Sequence, residues 1–201
     1  MRPHDLLRLK PGAILDDAEA PAWVAESLTL APFVVVRRGD IRDGRIPVGV
    51  RGSTRAQRYP ASLYASDVAA VVTPEALAAS GAWHTHSRRM LPAFAALDRV
   101  AAAATSLNLI WGPGGSVGFE LASSVPVVRD DSDLDVIVRP ATQHSHADLE
   151  RFANALDDCG VRVDIVVEAA QGAVALHEWL HSPQRVLIKT ASGPQLGAFH
   201  W

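Results

Sequence analysis

Arg129-Asp130-Asp131-Ser132-Asp133-Leu134-Asp135-Val136-Ile137-Val138 packs four aspartates into six residues and then turns apolar and β-branched. Val136, Ile137 and Val138 favour a strand. Strand side chains alternate, so Asp133 and Asp135 share one face while Leu134 and Val136 share the other. Two like charges at the mouth of a buried strand repel each other. A divalent magnesium or manganese ion held by hard oxygen ligands is the simplest way to offset that repulsion. A solvated acidic turn is the alternative, and it suits Asp130 and Asp131 better than Asp133 and Asp135.

The preceding segment separates the two pairs. Leu109-Ile110-Trp111-Gly112-Pro113-Gly114-Gly115-Ser116-Val117-Gly118 reads as an apolar strand over 108–111 that enters a glycine turn, with a short helix over 117–122. Glycines let backbone N–H groups approach a ligand, and a helix N-terminus adds partial positive charge. In outline this is a phosphate cradle with Gly115 and Ser116 at its centre. Before an Asp-x-Asp strand, it points to a nucleotide site with metal ions bridging the phosphates.

Composition sets the bounds. The chain has 201 residues, 48% hydrophobic and 20% charged, enough for one large domain or two small ones. A formal net charge of −3 makes nucleic acid an unexpected partner. The single cysteine, Cys159, excludes an intramolecular disulfide framework and fits a reducing cytoplasm. No apolar run reaches the roughly 20 residues of a membrane span. The opening Met1-Arg2-Pro3-His4-Asp5-Leu6-Leu7-Arg8 has no long apolar core, so no leader peptide is expected.

Residues 1–87 read as a first lobe and 88–201 as a second. The first opens on a short amphipathic segment over 4–9. A helix over 20–30, a strand over 33–36 and a strand over 46–50 follow, the last demoted towards a sheet edge by Pro47. Arg51, Arg55 and Arg58 then fall on one face if the segment is helical. That face is either solvated or an anion site for phosphate or an acidic partner, since arginine presents forked donors. Thr73-Pro74-Glu75 starts a helix.

The second lobe reads as a helix over 91–106, the glycine turn, the aspartate strand and a helix opened by the capping box Ser145-His146-Ala147-Asp148. A strand over 161–167, a helix over 171–181 and a strand over 185–189 complete it. If the strand carrying Asp164 pairs beside that of Asp133 and Asp135, a third carboxylate joins the first two.

These motifs together resemble a known superfamily. A strand, Gly115-Ser116, an alternating aspartate strand and a later strand with a third aspartate are similar to the polymerase-beta-type nucleotidyltransferases. Within that group, Trp111 to Ala122 followed by Asp131-Ser132-Asp133-Leu134-Asp135 resembles the phosphoribosyl-dephospho-CoA transferases of malonate decarboxylase, its holo-acyl-carrier-protein synthases. Pro3-His4-Asp5-Leu6-Leu7 and Val48-Gly49-Val50-Arg51-Gly52 match the same family, so the likeness covers most of the chain. Residues 121–129 lengthen the gap between Ser116 and Asp133 relative to the broad superfamily, which leaves open how Gly115 and Ser116 meet the phosphates.

The resemblance implies an α+β fold: a small N-terminal α/β lobe, then a nucleotidyltransferase lobe with a mixed sheet flanked by helices. It also implies a reaction. The phosphoribosyl-dephospho-CoA unit of 2′-(5″-triphosphoribosyl)-3′-dephospho-CoA would pass to a serine of the apo acyl carrier protein of malonate decarboxylase, releasing pyrophosphate. Asp133 and Asp135 would be catalytic and, with Asp164, would hold magnesium or manganese. Asp164 or Asp133 would assist removal of the serine proton. Gly115 and Ser116 would bind the β- and γ-phosphates, with Arg51 or Lys189 balancing phosphate charge. The alternative is a non-catalytic module that keeps the fold and recognises a nucleotide or carrier protein.

One motif competes. His177-Glu178-Trp179-Leu180-His181 matches the H-E-x-x-H of zinc peptidases. The twenty residues after it contain no aspartate or glutamate for a third ligand, which favours a surface helix with incidental histidines. The glycine turn lacks the Rossmann third glycine and is followed by no Walker lysine.

Overall fold

Leu6, Leu7 and Leu9 are all buried, and they turn the amphipathic opening of the chain into a strand rather than a surface segment. The computed structural model describes residues 1–13, 15, 19–54, 56–139 and 144–200. Strand β1 (Leu6–Leu9) lies inside an antiparallel sheet with β2 (Phe33–Val36), β3 (Arg45–Arg51), β4 (Arg58–Tyr64) and β5 (Val68–Val72), in the order β4-β3-β2-β1-β5. Helix α1 (Ala22–Leu30) sends Val24 into a core with Leu7, Val34, Val48 and Leu63.

The expected edge position of the Pro47 strand is corrected here. β3 lies between β2 and β4, which puts it inside the sheet. A residue's N–H and C=O point to the same side of a strand. The Pro47 carbonyl accepts from Arg37 N–H at 2.9 Å, beyond the last β2–β3 register pair, Val36↔Val48. The missing proline donor therefore falls past the end of the β2 ladder and costs no regular pairing. The helical face proposed for Arg51 and Arg58 is also replaced. These residues end β3 and begin β4 and pair directly across a hairpin. Arg55 lies outside the described residues.

The second sheet runs β11-β10-β9-β8-β7-β6. Its strands are β6 (Trp111–Pro113), β7 (Leu134–Val138), β8 (Val163–Ala169), β9 (Gly172–Ala175), β10 (Val186–Thr190) and β11 (Gly193–Gly197). β7 and β8 pair in parallel and the other neighbours antiparallel, so the sheet is mixed. The chain crosses between β7 and β8 through α6 (His146–Asn154), whose Ser145–Asp148 capping box forms as expected. With α2 (Pro74–Ser80), α3 (Pro92–Ala95), α4 (Leu97–Ser106), α5 (Gly115–Ser123) and α7 (Leu176–His181), the class is α+β.

Three further elements differ from expectation. The helix over 91–106 divides at Ala96, where Arg99 N–H reaches Ala96 C=O in a tighter three-residue bond. The helix over 171–181 begins instead as strand β9, because Gly172 (φ +143) turns the chain back and Ala173 and Val174 fill the core. The strand before the glycine turn runs over Trp111–Pro113 rather than 108–111. No helix among the described residues is long and apolar enough to cross a membrane.

An apolar seam and two ionic clusters join the sheets. Phe33 meets Phe119 edge-on at 6.5 Å, with Leu6 and Ala31 in the same cluster. Arg139, at the end of β7 and buried, reaches Asp5 at 3.2 Å and Glu75 of α2 at 3.0 Å, and also donates to Pro3 C=O. Glu168 of β8 accepts from His4 at 2.9 Å and from Arg38. Burial pushes the Glu75 and Glu168 carboxyls up, but hydrogen bonds and nearby cations outweigh it and hold both below the ordinary value of 4.5.

A lowered folded-state pKa contributes stability that is complete above the unfolded value and is lost as pH falls through the folded one. The melting temperature should therefore drop as the pH is taken below 4.5. Glu168→Gln should flatten part of that drop. An unchanged acid slope in Glu168→Gln would show that the His4–Glu168–Arg38 cluster does not couple the sheets.

Candidate active site

The parallel pairing of β7 and β8 sets Asp135 directly opposite Asp164. Leu134 and Val136 are fully buried on the far face, which fixes the register, since a one-residue slip would drive the carboxylates into the core. Asp133, one residue before β7, opens onto the same cleft. This cleft of about 180 Å3 is lined by all three aspartates together with Gly115, Ser116 and Arg51.

The electrostatics follow from that crowding. Burial pushes the Asp135 carboxyl up, the charges of Asp133 and Asp164 push it further, and His4 and Arg51 oppose them. Asp164 is partly answered within its own strand region: its Oδ1 accepts from Arg162 Nε at 2.9 Å and pairs with Arg162 Nη2 at 2.8 Å. Among the described residues, no three His, Cys, Asp or Glu side chains converge closely enough to coordinate one ion. The expected three-carboxylate set thus shares one cleft while Asp164 is turned towards Arg162. The donors themselves suit a hard divalent cation: carboxylate oxygens, one of them on a desolvated residue with like charges beside it. Asp133 and Asp135 would supply the first ligands, and Asp164 would join by exchanging Arg162.

The glycine turn is built against the same carboxylate. Gly114 N–H donates to the Asp135 carbonyl at 2.9 Å, and Gly115 adopts φ +52 to start α5. A Cβ at Gly115 would sit 1.7 Å from Asp135 Oδ2, so only glycine lets the turn touch the aspartate. Ser116 follows, buried in the first turn of α5. The helix N-terminus and the carboxylates therefore border one space, as the sequence implied.

Arg51 and Arg58 reach this space from the first sheet, as the end of one hairpin. The Arg51 guanidinium also stands 6.0 Å from the Phe119 ring centre, within cation–π range. Lys189 does not join them. It lines a second cleft of about 630 Å3 with His177, Glu178, Asp135 and Asp164. Asp135 and Asp164 stand between the two clefts and border both. His177, Glu178 and His181 are exposed on α7, which buries Leu176 and Trp179 instead.

Glu120 and Arg88 escaped the sequence reading. Glu120 is 1% exposed and accepts from Arg88 at 2.9 and 3.0 Å and from the backbone N–H groups of Val127 and Val128, each at 2.7 Å. Arg88 also donates to Val128 C=O. This pair ties α5 to the segment over 121–129, so the long gap between Ser116 and Asp133 is a braced loop. The available signal was an acid within the apolar run Val117-Gly118-Phe119-Glu120-Leu121-Ala122.

Two family models cover the chain. One, described as the phosphoribosyl-dephospho-CoA transferase MdcG N-terminal domain, matches residues 2–74, and the corresponding C-terminal domain matches 76–198. Proteins named phosphoribosyl-dephospho-CoA transferase are similar along the whole length. That from Pseudomonas syringae pv. tomato is 42% identical, over 99% of this chain and 92% of the relative. That from Pseudomonas putida is 38% identical over 100% and 95%, and that from Azotobacter vinelandii 36% over 100% and 94%. No solved structure matches the chain.

Gly115→Ala tests the contact between turn and carboxylate. The positive φ alone should cost about 1–2 kcal/mol of stability. The new methyl must also displace the Asp135 side chain, so catalytic function should fall much further than stability does. Paired urea denaturation and activity assays would show this, and a fully active Gly115→Ala protein would contradict it.

Proposed function

The chain belongs to the phosphoribosyl-dephospho-CoA transferase family, and from that premise we propose that it is a metal-dependent nucleotidyltransferase acting on an acyl carrier protein. It moves the phosphoribosyl-dephospho-CoA unit of 2′-(5″-triphosphoribosyl)-3′-dephospho-CoA to a serine of the malonate decarboxylase apo carrier protein. The observation that carries this reading is the register of Asp135 opposite Asp164, in a cleft shared with Asp133 and the Gly115-Ser116 turn.

The serine Oγ attacks the α-phosphorus of the triphosphate. A new Oγ–P bond forms, the bond from that phosphorus to the bridging oxygen breaks, and pyrophosphate leaves with the electron pair. Backbone N–H groups at Gly115 and Ser116 hold the β- and γ-phosphates, helped by the α5 N-terminus. Arg51 and Arg58 offset their charge from the opposite wall. A magnesium or manganese ion held by Asp133 and Asp135 would neutralise charge at the attacked phosphoryl group and on the leaving pyrophosphate.

Asp164 borders both clefts, so it meets the donor on one side and is open to an acceptor on the other. It takes the serine proton on a carboxylate oxygen. Lys189, exposed in the second cleft, faces the side from which an acidic carrier protein would approach. This differs from a role on the triphosphate, and it follows from which cleft the lysine lines.

The intact mass of apo carrier protein, incubated with the enzyme, magnesium and the triphosphoribosyl precursor, should rise by the phosphoribosyl-dephospho-CoA unit. Asp133→Ala and Asp135→Ala should each slow this by at least about a hundredfold, since such charge stabilisation is worth several kcal/mol. Transfer at the normal rate by both folded variants would reject the mechanism.

A further inference from the structure

Next to the carboxylate cleft, between the two sheets, lies a cavity of about 390 Å3. This is the size of a small-ligand pocket, for which roughly 300–1,000 Å3 is usual. Its walls are mostly apolar: Leu6, Val35 and Val72 from the first sheet, Leu77 from α2, Phe119 from α5 and Tyr59 from β4. Gly115, Arg51 and Arg58 line both this cavity and the carboxylate cleft, so the two spaces adjoin. Arg37 adds a further cation at its wall.

We propose that this interlobe cavity is a purine-nucleoside subsite that seats the adenosine part of the donor. The inference rests on the transferase reading, because that reading supplies the ligand. The donor has two long portions beyond its triphosphate. One is a nucleoside with a flat base, and the other is a pantetheine arm with two amides. A base presents apolar faces that stack on aromatic rings, and such stacking is worth about 1–3 kcal/mol per base. Phe119 and Tyr59 offer those rings. The arm has no ring to stack, so the aromatic walls favour the base over the arm. The arginines shared with the neighbouring cleft suit the phosphates that flank the adenosine on both sides.

Covalent connectivity favours the same order. The adenosine ribose lies one sugar away from the attacked phosphorus, while the pantetheine end is separated from it by a further diphosphate. The space nearest the carboxylates is therefore filled first by the nucleoside, and the arm is directed out towards solvent.

The test uses the full chain and three probes: 3′-dephospho-CoA, AMP and 4′-phosphopantetheine. AMP should displace 3′-dephospho-CoA in a calorimetric competition, and 4′-phosphopantetheine should not. Two substitutions address the walls. Gly49 sits on β3, where an added Cβ would make ordinary 3.4 Å contacts with Arg37 and Val35, so Gly49→Val narrows the cavity at little cost to a strand. Tyr59→Ala removes one stacking face. Each variant that melts like the parent should bind AMP about tenfold or more weakly. Should either variant fail to fold, photolabelling of the parent chain with 8-azido-AMP decides instead, and peptides carrying Tyr59 or Phe119 should be marked.

Displacement by 4′-phosphopantetheine in place of AMP would overturn the assignment. Undiminished AMP binding in both folded variants, or label found only elsewhere, would do the same. Carrier modification is read separately. Transfer without any nucleoside binding sinks the subsite alone, whereas nucleoside binding at these residues without transfer supports the subsite and sinks the activity.

Discussion

Like charge held close is the constraint around which this protein is arranged. Asp135 and Asp164 face each other across two parallel strands, and Asp133 enters the same space one residue before the strand begins. Burial and the neighbouring carboxylates push the Asp135 carboxyl up together. Hydrophobic burial of Leu134, Val136 and Ile165 on the opposite face keeps the strands in register against that repulsion. Nothing in the core requires three acids at this position, and a bound divalent cation would relieve the repulsion.

The surroundings act on the same point. Gly115 can take its positive φ and press on Asp135 because it lacks a side chain. The Glu120–Arg88 pair closes the loop that returns the chain from α5 to β7. The first sheet contributes from across the seam. His4 is anchored by Glu168, and it opposes the upward push on Asp135 along with Arg51. The His4–Glu168 contact therefore also fixes how near His4 comes to Asp135. Breaking a buried pair such as Arg139–Asp5 typically costs about 3–5 kcal/mol, more than most surface contacts contribute.

Much of the site was legible because its signals are local. An alternating acidic strand, a glycine turn and a strand about thirty residues later that carries Asp164 are each visible within a few residues, and the α+β class follows from their order. The pairing of Asp135 with Asp164 needed only the assumption that the two strands are neighbours. The misreadings involve long-range packing. Gly172-Ala173-Val174-Ala175 is short and rich in alanine, so it reads as helix, and only the adjoining strands make it β9. Pro47 reads as an edge marker because the sequence cannot show where β2 ends. Arg51 and Arg58 keep helical spacing, yet the turn between them is closed by Gln57 Oε1, which accepts from Ser53 Oγ and Thr54 N–H. Glu120 shows its importance only through the partners that other segments bring to it.

We propose that the three aspartates form a divalent-cation site beside the Gly115-Ser116 turn. A crystal structure of the protein with manganese and a non-hydrolysable triphosphate analogue, with the ion located by anomalous scattering, tests this most directly. The expected map has a peak bounded by the carboxylates of Asp133 and Asp135, with Asp164 released from Arg162 and the triphosphate against Gly115 and Ser116. A peak at His177 and Glu178, or no peak near the aspartates with the analogue bound, would contradict it.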